Sequence, residues 1–204
     1  MNKLSISFLC AALLLVSAVA NAQSTQSTTM RVRGSISAFD GKVLSVKSRE
    51  GKDLKLQMTE GTTVSYPKAI KLSDIKPGDY IGTAATPDSE GRLVAREVHL
   101  FPETSRGVGE GHYPWDAEPG STMTNASLAK MVKSNNGQEL TLEYKGGART
   151  VLIPEGIPVV TAVPADRSLL QPGTYVFVVV QVAADGSMTA ARIQAAKDGV
   201  KPPQ

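Results

Sequence analysis

The second half of this chain repeats its first half, and this repeat constrains the fold more than any other feature of the sequence. The matched pairs are Glu60-Gly61 with Glu155-Gly156, Pro77-Gly78 with Pro172-Gly173, Gly91 with Gly186, Ala95 with Ala190, and Val98 with Ile193. Each pair is separated by 95 positions, as 193 is from 98, without a gap. The repeat predicts two copies of one folding unit, whereas a solenoid or propeller would need more copies.

The N-terminus predicts an export signal that is removed from the mature chain. Lys3 supplies a positive charge, residues 4–19 are mostly apolar, and Ala20-Asn21-Ala22 has the pattern of a cleavage site. The apolar run is shorter than the ~20 residues of a membrane-spanning helix. We therefore expect cleavage after Ala22, no transmembrane span afterwards, and a periplasmic or secreted protein.

Composition excludes some functions. The only cysteine, Cys10, lies in the predicted signal, so the mature chain would have no disulfide and no thiol chemistry. Lys and Arg number 22 against 19 Asp and Glu, and no basic stripe is visible. Nucleic acid is therefore not an expected partner, because binding to a phosphate backbone needs clustered positive charge.

Each unit predicts short strands separated by turns. Residues 31–36 alternate between polar and apolar, Asp40-Gly41 is a hairpin signal, and residues 175–180 form an apolar run typical of a buried strand. A change of alternation near Arg96 and Arg192 predicts a β-bulge in each copy. The expected fold is all-β, with two tandem small OB-like barrels, closed or partly open, and only short helical turns. A two-sheet sandwich is the alternative.

The predicted domain boundaries follow the repeat. They are a signal peptide at 1–22, a disordered segment at 23–29, a first barrel at 30–100, a connector at 101–123, a second barrel at 124–197 and a disordered tail at 198–204.

Four short motifs of the first unit resemble a family of bacterial exported domains of unknown function. The motifs are Val32-Arg-Gly-Ser-Ile36, Gly41-Lys-Val-Leu-Ser-Val46, Asp74-Ile-Lys-Pro-Gly-Asp79 and Ala95-Arg-Glu-Val98. The resemblance covers most of residues 30–100 and, more weakly, 124–196, where Ala129 is expected to replace Gly34. It implies an OB-like or related small barrel in the bacterial envelope, and it implies no activity and no functional residues.

The connector has no counterpart in either unit, so building a barrel does not account for it. It contains the only Trp of the chain and one of its two His residues. Exposed Trp, Tyr and Arg are the usual anchors of binding surfaces. The candidate ligand- or partner-binding residues are Arg106, Glu110, His112, Tyr113, Trp115 and Asp116. The alternative is structural, with Tyr113-Pro114-Trp115 filling the gap between the barrels.

Two chemical alternatives are weaker. A hydrolase using His112 and Asp116 would need a positioned nucleophile, and Ser121 and Ser105 are near only in sequence. A metal site has few ligands to use, because zinc wants three or four and the mature chain would have only two His and no Cys. Its candidate ligands are His99, Glu110, His112 and Asp116.

The sequence therefore predicts a non-enzymatic binding, interaction or structural module of the bacterial envelope. It predicts no catalytic residues, metal or cofactor, and its expected partner is an unknown envelope protein or a small ligand. A metal-binding protein or hydrolase using His112 and Asp116 is the alternative.

Overall fold

A computed structural model describes residues 28–134 and 137–202 of the chain. The predicted signal peptide and residues 23–27 lie outside this range. The described protein is all-β, with 62% strand and isolated 3-10 turns as its only helical elements. Its strands are β1 (Thr28–Phe39), β2 (Val43–Ser48), β3 (Asp53–Ala69), β4 (Tyr80–Pro87), β5 (Leu93–Leu100), β6 (Gly111–Pro114), β7 (Thr122–Ser134), β8 (Gly137–Tyr144), β9 (Gly147–Ile153), β10 (Val159–Pro164), β11 (Tyr175–Val182) and β12 (Met188–Ala195).

Five of these strands form a closed barrel, and the described part of the chain has seven more. Going round the barrel, β3 pairs with β2, β2 with β1, β1 with β11, and β11 with β12, all antiparallel. The barrel closes where β12 runs parallel to β3. The predicted all-β fold with a small closed barrel is confirmed, and closure leaves fewer exposed strand edges.

The barrel takes its strands from both repeats. β1, β2 and β3 belong to the predicted first unit (30–100), whereas β11 and β12 belong to the second unit (124–197). The expected pair of tandem barrels is not confirmed. The equivalent hairpin of the first unit, β4 and β5, pairs instead with strands of the second unit, in the order β5-β4-β7-β8-β9. In that group β5 also pairs with β9, through Leu93↔Val151 and Val94↔Leu152.

The two halves are related by an approximate two-fold symmetry. β10 pairs antiparallel with the end of β3, and Pro67, opposite Ala162, lies at the centre of that pairing. Residue 162 is the repeat equivalent of residue 67, since the offset is again 95. The parallel contacts also match, because Ile193 pairs with Val64 in one half and Val98 pairs with Val159 in the other. The repeat is therefore preserved in the hydrogen-bond register of the whole molecule.

Two apolar clusters hold the halves together. One lies inside the closed barrel and includes Val46 and Ile193, and the other lies within the β5-β4-β7-β8-β9 group and includes Leu142 and Val98. All four side chains are fully buried. Each cluster combines side chains from both repeats, so burial of apolar surface stabilises the pairing of strands between the repeats.

The predicted bulges are confirmed. In the pairing of β4 with β5, Ala84 lies opposite Glu97 and Ala85 opposite Ala95, so Arg96 is the extra residue. The equivalent shift in β12 leaves out Ala191, next to Arg192. Bulges of this kind increase strand twist and help a small sheet to curl.

The expected counterpart of Gly34 is wrong. Gly34 lies opposite Val176 of β11, and the equivalent residue of β4, Ile81, lies opposite Ala126 rather than Ala129. A β-carbon on Gly34 would lie 2.1 Å from the carbonyl oxygen of Lys47, so β1 and β2 approach too closely for a side chain there. The hairpin formed by β7 and β8 is longer than that formed by β1 and β2. Residues of β7 are therefore not separated from their counterparts in β1 by the 95 positions that separate the other matched residues.

The unit boundaries also differ at both ends. β1 begins at Thr28, inside the segment predicted to be disordered. In the predicted disordered tail, Val200 forms a β-bridge with Lys197, and Pro202 is buried.

Candidate functional site

A cleft of about 370 Å³ lies between the closed barrel and the other strands. Its walls are the outer faces of β1, β11 and β12 on one side and of β4, β5 and β7 on the other, and part of the connector covers it. We call it the aromatic cleft. Its aromatic side chains are His99, Phe101, Tyr113, Trp115 and Phe177, and its polar side chains include Arg31, Glu97, Asn125, Arg192 and Gln194.

Strand alternation gives the cleft its walls. In β11, Val176, Val178 and Val180 are fully buried in the barrel. The intervening Phe177 and Val179 are half-buried and line the cleft. The apolar run that predicted a strand buried on both faces thus covers the barrel interior with one face and forms a cleft wall with the other.

Three aromatic rings and two arginines form a contiguous group. The Trp115 ring centroid lies 6.3 Å from that of Tyr113 and 6.4 Å from that of Phe177. The guanidinium of Arg31 lies 4.2 Å from the centroid of the Trp115 ring, and that of Arg33 lies 5.0 Å from the Phe177 ring. Such rings favour planar apolar partners, and the cations strengthen the contact through the ring faces.

Several buried polar atoms of cleft residues have no hydrogen-bond partner in the described part of the chain. They are Trp115 Nε1, Asn125 Oδ1 and Gln194 Oε1. The other end of the Asn125 amide is engaged, since its Nδ2 donates to the Tyr113 hydroxyl at 3.1 Å. Leaving a buried donor or acceptor unpaired costs about 1–3 kcal/mol. Three residues that line the cleft therefore carry one donor and two acceptors without hydrogen-bond partners.

His99 is neutral at physiological pH. Its ring stacks on Phe101 with the centroids 5.1 Å apart, and the residue is only 8% exposed. Burial, together with the positive charge of Arg192, lowers the pKa of His99 to about 4. A neutral imidazole has one donor and one acceptor nitrogen, so His99 adds hydrogen-bonding capacity to the cleft without adding charge.

The tyrosines beside the cleft are also neutral. Burial raises the pKa of Tyr113 above its usual value and raises that of Tyr80 to about 12. The Tyr80 hydroxyl donates to the carbonyl of Val108, at 3.2 Å, and thereby holds the connector against β4.

An ion pair fastens the connector to β1. Arg33 Nη2 donates to Asp116 Oδ1 at 2.8 Å, with the Arg33 side chain 2% exposed and that of Asp116 46% exposed. Arg49 donates to the backbone carbonyls of Asp116 and Ala117, at 2.7 and 3.2 Å. These contacts hold the residues that follow Trp115 and so fix that ring at the cleft.

The symmetry of the repeat is broken in the cleft. Positions 95 apart that face the two apolar clusters remain apolar, as Val98 and Ile193 do. In the cleft, by contrast, equivalent positions carry different chemistry. The pairs are Gly82 with Phe177, Glu97 with Arg192, and His99 with Gln194. Duplication accounts for the shared interior, and the cleft is where the two copies have diverged.

The structure brings together only some of the predicted site residues. Tyr113 and Trp115 lie in the cleft, and Asp116 lies beside the cleft, where it accepts a hydrogen bond from Arg33. His112 lines a separate pocket of about 750 Å³, and its Nδ1 lies 2.8 Å from Thr124 Oγ1. β6 causes this separation, because neighbouring residues of a strand point to opposite faces.

The other two predicted residues make structural contacts. Arg106 Nη2 donates to Glu103 at 2.7 Å and to the carbonyl of Gly78 at 2.9 Å. Glu110 accepts a hydrogen bond from the backbone N–H of Lys145 at 2.8 Å. These contacts hold the connector next to β4 and β8.

The four candidate metal ligands do not converge. His99 lines the aromatic cleft and His112 lines the separate pocket. Glu110 accepts from the backbone of Lys145, and Asp116 is paired with Arg33. Across residues 28–134 and 137–202, no group of three or more His, Cys, Asp or Glu side chains could hold a metal ion.

Sequence reasoning missed the strand residues of the cleft. Arg31, Asn125, Phe177 and Gln194 lie in β1, β7, β11 and β12, strands that were assigned only to the scaffold. One signal was available, because Phe177 is a large aromatic residue where the first repeat has Gly82.

Comparison of the chain with models of protein families, with curated proteins and with solved structures gave no match. Among the described residues, no helix has the length and apolar character needed to cross a membrane.

Proposed function

We propose that this protein is an exported, non-enzymatic binding module of the bacterial envelope, and that it binds a small molecule with a planar ring in the aromatic cleft. The observation that carries the proposal is the combination, in one cavity, of aromatic ring faces with buried polar atoms that lack partners. A volume of about 370 Å³ lies within the range of small-molecule sites.

The unpaired atoms indicate the chemistry of the ligand. Trp115 Nε1 can donate to an acceptor, while Asn125 Oδ1 and Gln194 Oε1 can accept from N–H or O–H groups. An aromatic amide or a nitrogen heterocycle offers a planar ring for stacking and both kinds of hydrogen-bonding group at its edge. Completing these bonds would add affinity and specificity to the apolar contact.

We also infer that each ring of five strands is an OB-like barrel and that the two units exchange their last hairpins. The inference is supported by the strand order β1-β2-β3-β12-β11 with one parallel pair, which the β7-β8-β9-β5-β4 group repeats. The exchange places the outer faces of the two rings against each other. In this account the cleft is a consequence of the exchange.

The hydrolase alternative has less support. His112 is bonded to Thr124, and Asp116 is bonded to Arg33. The hydroxyl of Ser121 donates within its own turn, to the carbonyls of Trp115 and Glu118. A base with a positioned nucleophile is therefore not assembled from these residues.

Trp115 provides the assay, because it is the only Trp in the chain and lies in the cleft. Its fluorescence can be titrated with benzamide, which has a planar ring and both hydrogen-bonding groups, and with cyclohexanecarboxamide, which has the same amide on a non-planar ring. The proposal expects saturable quenching or a spectral shift with benzamide and a weaker response to the control.

Two variants locate the response. Gln194→Leu removes an acceptor from the cleft while roughly keeping side-chain volume, and we expect about tenfold weaker benzamide binding. Gln57→Leu makes the same change on the exposed face of β3, outside the cleft, and should leave binding unchanged. A fluorescence response absent at millimolar benzamide, or equally weakened by both variants, would contradict a ligand site in the aromatic cleft.

A further inference from the structure

The first part of β1 has one unpaired edge. Successive residues of a strand direct their backbone N–H and C=O groups to opposite sides. The N–H of Ile36 donates to the carbonyl of Thr174, so the even-numbered residues of this part of β1 point toward β11. The carbonyl of Arg33 accepts from the N–H of Arg49 at 2.7 Å, so odd-numbered residues point to the opposite side.

That opposite side is covered only partly. Pairing of β1 with β2 begins at Gly34 and continues toward the end of β1. Within the described range of the chain, the backbone groups of Thr29 and Arg31 that face this side have no hydrogen-bond partner. Thr29 is exposed and Arg31 is half-buried, so this edge is accessible.

The equivalent edge in the other repeat is occupied. Arg31 and Arg33 of β1 correspond by register to Met123 and Asn125 of β7. Those two residues pair with β6 (Gly111–Pro114), the extended segment of the connector. In the other half of the molecule, the equivalent edge of β7 therefore accepts a short extended segment.

We propose that the free edge of β1 binds an extended segment of a partner polypeptide by β-strand addition, with an acidic residue of the partner near Arg31. Main-chain hydrogen bonds to Thr29 and Arg31 would supply affinity, as in other recognition by added strands. This interaction does not depend on the ligand proposed for the aromatic cleft.

Charge decides between kinds of partner. Arg31, Arg33 and Arg49 lie at or beside this edge. Asp116 lies 3.8 Å from Arg31 and 2.8 Å from Arg33, and Glu50 lies 2.7 Å from Arg49, so the three cations outnumber the two carboxylates paired with them. Two copies of the chain paired antiparallel about Arg31 would place like charges opposite each other, which is destabilising. An acidic segment has the complementary charge, and arginines on an open edge also act against self-association.

Amide hydrogen exchange resolved by residue tests the proposal. In the free protein we expect fast exchange at Thr29 and Arg31 and slow exchange at Met30 and Val32, whose N–H groups face β11. The probe is an acetylated and amidated peptide with the sequence of residues 110–117, which includes β6 and an acidic residue near each end. Adding it should slow exchange at Thr29 and Arg31.

A pair of variants checks the site. Thr29→Pro removes the exposed N–H without removing a hydrogen bond to β11, and should weaken peptide binding about tenfold. Thr29→Val keeps the N–H and should bind as the unaltered chain does. Slow exchange at Thr29 and Arg31 in the free protein, or no peptide-dependent protection of them at millimolar peptide, would overturn the proposal. Protection that depended on protein concentration instead would overturn it in favour of a second copy.

Discussion

Replacing His99 should change how the stability of this protein depends on pH. Burial and Arg192 lower the pKa of His99 to about 4 in the folded protein, whereas an unfolded chain has an imidazole pKa of about 6.5. Between these values the unfolded chain binds a proton that the folded protein rejects. The stability associated with neutral His99 is therefore present above about pH 6.5 and is lost as the pH falls toward 4.

The size of the effect follows from the two pKa values. Their difference, at ~1.4 kcal/mol per pH unit, corresponds to about 3.5 kcal/mol. We expect the free energy of unfolding to fall by about 2–3 kcal/mol between pH 7 and pH 4.5 through this one side chain. Urea titrations at several pH values measure it, with His99→Gln as the variant because Gln194 occupies the equivalent position in the second repeat.

The comparison of variants gives the test its control. His99→Gln should remove this contribution, so its stability should fall less steeply with acid. His112→Gln should have a smaller effect, because His112 is only half-buried, although burial also lowers its pKa. An unchanged acid dependence in His99→Gln, or an NMR titration of His99 near pH 6.5, would refute the reasoning.

Two further predictions concern stability and can be checked by urea or thermal unfolding. Gly34→Ala should destabilise the protein by more than about 2 kcal/mol, because its β-carbon would meet the carbonyl oxygen of Lys47 at 2.1 Å. Ala126→Gly, at the equivalent position of the other repeat, should cost only ~1 kcal/mol. Equal losses of stability in the two variants would contradict the assigned register. Asp116→Ala should destabilise by about 2–4 kcal/mol because it leaves the buried guanidinium of Arg33 without its ion pair. The double variant Arg33→Met/Asp116→Ala should recover part of that loss, and a double variant as unstable as the sum of both changes would refute the pairing.

Local patterns in the sequence predicted much of the fold. Alternation in β1, the turn at Asp40-Gly41 and the shifts near Arg96 and Arg192 depend on neighbouring residues, and the structure confirms them. The choice between pairing partners is different in kind. β4 and β11 occupy equivalent positions in the repeat, and alternation alone cannot say which of the two hairpins β1 pairs with.

The candidate site was predicted in part for the same reason. Trp115 and Tyr113 were identifiable because the connector has no counterpart in the repeat. Phe177, Asn125 and Gln194 lie in strands that pattern analysis assigns to scaffold. In the proposed account they meet because the exchanged hairpins bring two outer faces together. The position of His112 outside the cleft follows from the alternation of β6, a strand that the sequence did not predict.

The exchange of hairpins between the repeats is the central claim, and an engineered disulfide tests it directly. Thr29 of β1 lies opposite Gln181 of β11, in a pair that alternation makes non-hydrogen-bonded. Such pairs have Cα atoms about 4.5 Å apart, within the range that a disulfide spans. If each repeat closed its own barrel, Thr29 would instead lie opposite Thr86, the equivalent of Gln181.

The measurement is the yield of intramolecular disulfide, by mass spectrometry after mild oxidation, in two variants of a chain in which Cys10 is replaced by Ser. The account predicts a high yield for Thr29→Cys/Gln181→Cys and little or none for Thr29→Cys/Thr86→Cys. The reverse pattern would contradict the exchange, and with it the origin proposed for the aromatic cleft.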